Sequence, residues 1–159
     1  MHTLPSLLKK VLISSFLAIM LGINASAIAV DDSELGNNPE GFKRTAKQVI
    51  KVMDKWARSW ARLDAVGYIS CYSPDYIGKG FPSHFAWAAS RQHRLQNQKD
   101  IKLSLSDVQL MSTRQGFFNV TFTQHYKSDT YQDVTRKQLE FKLIDGQWYI
   151  VAEKNLASK

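Results

Sequence analysis

Cysteine is almost absent. Cys71 stands alone among 159 residues, so no disulfide can form within the chain, and the domain must be held by its core. Runs of basic residues are missing as well. Lys and Arg outnumber Asp and Glu by 21 to 14, yet no stretch of them is longer than two. A nucleic-acid groove shows clustered basic residues with aromatics between them. This scatter therefore excludes nucleic acid and describes a basic, solvated surface that tolerates anionic neighbours. No apolar run reaches the roughly 20 residues that span a bilayer. Also missing are a phosphate loop, a nucleophile elbow and a transpeptidase-type cysteine motif. His84 and His93 lack a partner at metal-ligand spacing, so neither a metal nor another cofactor is expected.

What is present begins with an export signature. "MHTLPSLLKK" is a basic start, "VLISSFLAIMLGI" an apolar run of 13 residues, and "NASAIA" a small-residue exit. We expect a signal peptide over residues 1–29, cut after Ala27 or Ala29, leaving a periplasmic or secreted protein without a stable membrane anchor. Losing Lys9 and Lys10 lowers the net charge from +7 to +5. Residues 30–38 read as an acidic, flexible lead, and residues 39–159 as one domain.

That domain starts on helical periodicity. Asn38 is placed to cap a helix, Pro39 fits its first turn, and Glu40 suits its dipole. Ala46, Val49, Met53, Trp56, Trp60 and Leu63 then recur every three or four residues, an amphipathic stripe opposite Lys47, Lys51, Lys55, Arg58 and Arg62. Asp64 can cap a short second helix, "AVGYISCY", and Ser83 a third, "HFAWAASRQHRL". Cys71, among apolar neighbours, reads as a buried small hydrophobe. From residue 101 the period becomes two: "IKLSLSDVQL", "GFFNVTFTQHYK", "VTRKQLEFKLI" and "QWYIVAEK" read as strands. Asp145-Gly146 is a two-residue hairpin signal. It sets Leu143 against Trp148, Phe141 against Ile150 and Leu139 against Ala152. That register turns Glu153 outward, opposite Gln138, onto the surface or an interface. The expected class is α+β, with three N-terminal helices covering one face of a curved antiparallel sheet of four or more strands.

The stretches "WARSWARLD", "YISCYSPDY", "FTQHY", "KQLEFKL" and "GQWYIVAEK" resemble, in this order, the nuclear-transport-factor-2-like superfamily, which includes SnoaL-like proteins. More narrowly they resemble the accessory domain that follows the catalytic domain of some periplasmic L,D-transpeptidases. The resemblance covers residues 40–155. It implies a cone with a pocket at its wide end, and a link to cell-wall metabolism. Superfamily members include isomerases, dehydratases, and many non-catalytic binding or dimerisation modules.

The cone gives meaning to "FFNVTFTQHY". Phe118, Val120, Phe122, Gln124 and Tyr126 share one face, which turns from apolar to polar where such a cone opens. Arg91 lies on the Trp87–Arg91–Leu95 stripe, where a charge is paired, snorkelled or offered to a ligand. Lys137 shares the inward parity of Leu139 and Phe141, or reaches solvent at the strand end. Tyr72 and Trp87 complete the candidate ligand-binding set: Arg91, Gln124, Tyr126, Lys137, Tyr72 and Trp87. This set suits a small ligand, peptide or protein partner, with a preference for anionic groups. Trp56 and Trp60 read as core rather than platform, and Tyr68, Tyr72 and Tyr76 either line the pocket or finish the core. No acid falls on a recognised inward strand position, so the expectation is a non-catalytic pocket domain with no catalytic residues assigned. The alternative is a small isomerase or hydro-lyase using Asp64 or Asp75 with a pocket tyrosine. The outer sheet face, with Thr121, Thr123, His125, Glu140, Tyr149 and Val151, suits a two-fold homodimer.

Overall fold

The computed structural model describes residues 29–30 and 39–156. Apart from Ala29 and Val30, the expected signal segment, the acidic lead and the Asn38 cap lie outside the described residues. Ala29–Val30 forms a two-residue strand, β1. Helix α1, Pro39–Ala61, begins at its proline, carries Glu40 in its first turn, and buries Val49, Met53 and Trp56 of the predicted stripe, with Ala57 and Ser59 beside them. It stops where Leu63 takes a left-handed conformation, φ 62°. Asp64 then caps α2, Ala65–Ile69, by accepting a hydrogen bond from the Gly67 N–H at 2.9 Å. A Cβ on Gly67 would collide with the Asp64 carboxylate and the Ser59 hydroxyl, so this cap needs a glycine. Ser83 caps α3, His84–Gln96, in the same way through the Ala86 N–H at 3.1 Å.

The second helix is shorter than the periodicity predicts. It ends before Tyr72 because the chain there leaves the helix to pair with the sheet. Ser73 N–H donates to Ile150 O at 2.9 Å, and Ile150 N–H donates to Cys71 O at 2.8 Å. Cys71 is buried as expected, and burial pushes its thiol up to about 11.

The sheet order is β1-β2-β3-β4-β5. β1 runs parallel to the edge of β2, Lys102–Arg114. The antiparallel meander continues through β3, Phe117–Lys127, β4, Gln132–Ile144, and β5, Gln147–Asn155. The helices cover one face of this curved, unclosed sheet, an α+β cone. Asp145 and Gly146 both have positive φ, 49° and 79°, as the tight hairpin turn requires.

Bulges in β2 and β5 bend the sheet and change which residues point inward. In β2 the register shifts between Ser106 and Gln109, so inward positions pass from Leu103 and Leu105 to Val108 and Leu110. In β5, Leu143 meets Trp148 and Phe141 meets Ile150, as expected. Glu140 then meets Ala152, with Val151 as the extra residue, and Leu139 meets Glu153 rather than Ala152. The expectation for the strand end is thereby corrected. A side chain read as outward, Glu153, turns into the cone.

The core joins the α1 stripe to the inner sheet face. Trp56, Trp87, Phe122, Phe141, Leu139, Ile150, Val49 and Val120 are essentially inaccessible to solvent, each large apolar side chain contributing about 1.5–3 kcal/mol. The outer face is bound by its own polar network. Arg136 donates to Asp107 O, Thr123, Gln109 and Thr121, while Arg114 pairs with Glu140 at 3.3 Å. No described helix is long and apolar enough to cross a membrane.

Candidate functional site

The inner ladder between β3 and β4 changes character along its length. From the narrow end its cross-strand pairs are Phe118–Phe141, Val120–Leu139, Phe122–Lys137, Gln124–Thr135 and Tyr126–Asp133. The first two are wholly apolar. The third admits a cation, and the last two are polar. Lys137 is only 8% exposed and Gln124 only 3%, so the change to polar chemistry occurs inside the fold.

The buried ammonium is met by the carboxylate that the β5 bulge turns inward. Lys137 Nζ lies 2.6 Å from Glu153 Oε1, with side chains 10% and 16% exposed. Lys137 also sits over the Trp60 ring, 5.5 Å from its centroid. The second carboxylate oxygen accepts from the Tyr72 hydroxyl at 2.8 Å. That hydroxyl in turn receives the Trp56 indole N–H at 2.9 Å and lies 2.8 Å from the Tyr68 hydroxyl. Because Tyr72 gives its one proton to Glu153, Tyr68 must donate to Tyr72. The chain Tyr68 to Tyr72 to Glu153 thus runs one way and ends on the carboxylate.

The protonation states follow from these contacts. Burial raises the Glu153 carboxyl, but the charge of Lys137, the hydrogen bonds from Lys137 and Tyr72, and the charge of Arg91 outweigh it. The carboxyl is held below its ordinary value. Burial, with the Glu153 charge adding to it, pushes the Tyr68 and Tyr72 phenols well up. Tyr76 rises to about 12 for the same two reasons. At neutral pH the Glu153 carboxylate is ionised and the phenols are neutral.

Around this centre the remaining candidates take different places. Trp87 is buried against Tyr72 and Tyr76, with ring centroids 4.6 and 4.8 Å apart, and is core. Its indole closes over Gly78, where any Cβ would strike the ring. Tyr126 is half-buried, its ring 5.6 Å from Trp60 and its hydroxyl donating to Gln98 at 3.3 Å. Beside it a cleft of about 290 Å³ opens along the ends of β2, β3 and β4, with Lys102, His125 and Lys127 on its walls. A second cleft, of about 330 Å³, lies between α1 and the β4–β5 hairpin. Arg91 is close enough to lower Glu153 by its charge, yet it forms no ion pair with a described carboxylate. Its Nε is buried without a hydrogen-bond partner. Gln124 Oε1 is buried without one too.

The structure thus brings Tyr72 and Lys137 together through Glu153, with Arg91 near enough for its charge to act on that carboxylate. Gln124 and Tyr126 stand on the adjoining wall. Tyr68, Trp56 and above all Glu153 were not among the predicted set. The tyrosine was recognisable as pocket or core; Glu153 was hidden by a bulge that leaves no mark in residue type. Asp64 and Asp75, the predicted acids of the catalytic alternative, are exposed. Asp64 is spent on its cap, and the Asp75 N–H bonds to Ser73. Among the described residues no group of three His, Cys, Asp or Glu is arranged to hold a metal.

Residues 48–154 match the family described as the Cds6 C-terminal NTF2-like domain. The chain belongs to that family. Solved structures agree on the fold. Bd1075 of Bdellovibrio bacteriovorus shares 20% identity at a TM-score of 0.65, covering 77% of this chain and 43% of that one. The helical cell shape determining protein Pgp2 of Campylobacter jejuni shares 19% at 0.58, covering 65% and 38%. An NTF2-like protein of unknown function from Pseudomonas putida KT2440 shares 13% at 0.62, covering 73% and 88%. This NTF2-like chain therefore spans less than half the length of the first two. No curated protein matches its sequence.

Proposed function

We propose that this NTF2-like domain is exported and non-catalytic, and that its polar mouth receives a small ligand or peptide bearing a negative group, within cell-wall metabolism. The observation that carries the reading is the Lys137–Glu153 pair beside Arg91. A general base works best with a pKa near the operating pH. Glu153 instead sits below its ordinary value, with both oxygens already bonded. Arg91 contributes a second positive charge that no described carboxylate answers, which suits an incoming anion. Export is supported by the basic, apolar and small-residue order of the N-terminus. The cell-wall link is supported by the likeness to Pgp2, named for cell shape, and a shared fold alone would not establish it.

Replacing Arg91 tests the binding role directly. Arg91→Gln keeps the fold and weakens binding of a carboxylate probe such as succinate by about 10- to 150-fold, the equivalent of one charge-assisted contact. Calorimetric titration reads the affinity and a thermal melt reads the fold. A variant that melts far lower and binds succinate unchanged would sink the reading. Expression from the first methionine, followed by N-terminal sequencing of the exported form, should give Ile28 or Val30 as the first residue.

A second reading has one observation in its favour: Glu153 is within hydrogen-bond distance of a buried phenol, as an isomerase or hydro-lyase of this fold would need. Glu153→Gln would then abolish turnover of a substrate whose binding it leaves intact.

A further inference from the structure

The cleft of about 330 Å³ between α1 and the β4–β5 hairpin has a chemistry of its own. Lys51, Lys55, Gln48, Gln147 and Trp148 line it, and none of Arg91, Lys137 and Glu153 does. Positions 51 and 55 are one helical turn apart, so their ammonium groups share a face and repel. No Asp or Glu lines the cleft to answer them. Lys55 Nζ gives one hydrogen to Ser70 Oγ at 2.9 Å, and the Lys51 ammonium bonds to no described residue.

The neutral groups are turned to the same purpose. An indole N–H can only donate, so Trp148 Nε1, 3.2 Å from Gln48 Oε1, engages that amide by its oxygen and leaves its NH2 to donate. The Tyr149 hydroxyl donates to Gln147 Oε1 at 2.8 Å and does the same for Gln147. Ser70, which accepts from Lys55, passes its own hydrogen to Gly67 O at 2.8 Å. Four side chains therefore present two ammonium and two amide donors, with both amide oxygens engaged elsewhere. The apolar part of the wall is Val52 and Trp148, the latter 8% exposed and packed edge-on against Phe118 at 5.7 Å.

A ligand matched to these walls carries acceptor oxygens, two negative charges and an apolar part. A carboxylate offers two oxygens and one charge. A phosphomonoester offers three terminal oxygens and about −1.5 to −2 charge at neutral pH, and its hydrogen bonds from ammonium groups are of the strong, charge-assisted kind. We propose that this cleft binds a phosphomonoester, its phosphoryl oxygens held by Lys51 and Lys55 and its organic part against Trp148. The site is separate from the polar mouth and does not depend on the binding role proposed there.

The experiment titrates the full chain, ¹⁵N-labelled, with phenyl phosphate, inorganic phosphate and the monoanion benzenesulfonate. The Trp148 indole N–H resonance, assigned by its loss in Trp148→Phe, reports occupancy. Phenyl phosphate is expected to shift it saturably and to bind more tightly than inorganic phosphate, which lacks the ring. It should also bind about 10-fold or more tighter than benzenesulfonate, the equivalent of one charge-assisted contact. Lys51→Gln, which breaks no bond of the fold, should weaken phenyl phosphate by about 10- to 150-fold with an unchanged melt. Lys79→Gln/Lys99→Gln removes two exposed positive charges outside the cleft and should leave the affinity as it was. Phosphatidylcholine vesicles with and without phosphatidic acid separate the two sources of such a group. Retention on the acidic vesicles alone assigns a lipid headgroup, and release from both assigns a soluble phosphomonoester. An indole resonance that no phosphate moves overturns the proposal, as does benzenesulfonate binding as tightly as phenyl phosphate. So does an equal loss of affinity in the Lys51 and the Lys79/Lys99 variants, which would make binding a matter of net charge.

Discussion

Glu153 is the residue on which the site turns. It is the one carboxylate that answers Lys137, and it also takes the proton of Tyr72. Removing a single partner of such a pair strands a buried charge. Lys137→Met should therefore lower stability by about 3–5 kcal/mol, read from urea denaturation. Adding Glu153→Leu should restore part of that loss, because the stranded carboxylate is removed with its partner, although the Tyr72 hydroxyl then loses its acceptor. A double variant no more stable than the single one would show that the pair does more than balance itself. Tyr72→Phe keeps the ring against Trp87 but withdraws the hydroxyl that joins Trp56, Tyr68 and Glu153. The expected loss is about 1–3 kcal/mol. Arg91 and Gln124 were legible in the sequence, since a charge on an apolar helical stripe and an amide on an inward parity are visible in the spacing itself. Glu153 was not.

At the level of elements, the reason is the extra residue in β5. The Asp145-Gly146 turn announces its register, and that register holds for Leu143–Trp148 and Phe141–Ile150. Val151 then adds one residue opposite Glu140, and every later side chain changes face. One alanine inserted after Ala152 should reverse this, putting the alanine opposite Leu139 and Glu153 outside. Lys137 would be left alone in the interior, and the domain should lose a further amount of the same order as Lys137→Met, about 3–5 kcal/mol. An insertion that leaves the melting temperature unchanged would mean that the pair re-forms by slippage. The β2 bulge works alike: Asp107 takes a left-handed conformation, φ 50°, and shifts the inward set from odd to even positions. Asp107→Val should be destabilising there, whereas Asp107→Gly fits the backbone.

Across the whole molecule, the buried acid and the buried phenols define opposite limits of pH. The Glu153 carboxyl is depressed in the folded state, so its contribution is fully present above the ordinary value of 4.5 and is lost as pH falls through the lower folded value. The phenols and the thiol are raised. Their contribution is fully present below their unfolded values, 9.0 for Cys71 and 10.0 for Tyr76, and disappears as pH rises toward about 11 and about 12. Tyr68 and Tyr72 extend the same limb higher. Urea midpoints measured from pH 3 to 11 should form a plateau between about pH 5 and 9. The acid limb should flatten in the Lys137→Met/Glu153→Leu double variant. An unchanged acid limb in that variant would assign the loss to other carboxylates.

The sequence by itself determined the helices, their Asp64 and Ser83 caps, the four long strands, the tight β4–β5 turn and the apolar-to-polar wall ending at Gln124 and Tyr126. Each of these depends on contacts within one segment or on a period that repeats along it. Only the tertiary structure decided which charges meet. A bulge is set by how two strands twist against each other, and nothing in "WYIVAEK" distinguishes Val151 as the extra residue. Long-range packing then closes the circuit, bringing Trp56 from α1, Tyr72 from beyond α2, Lys137 from β4 and Glu153 from β5 within hydrogen-bond distance around one hydroxyl and one carboxylate.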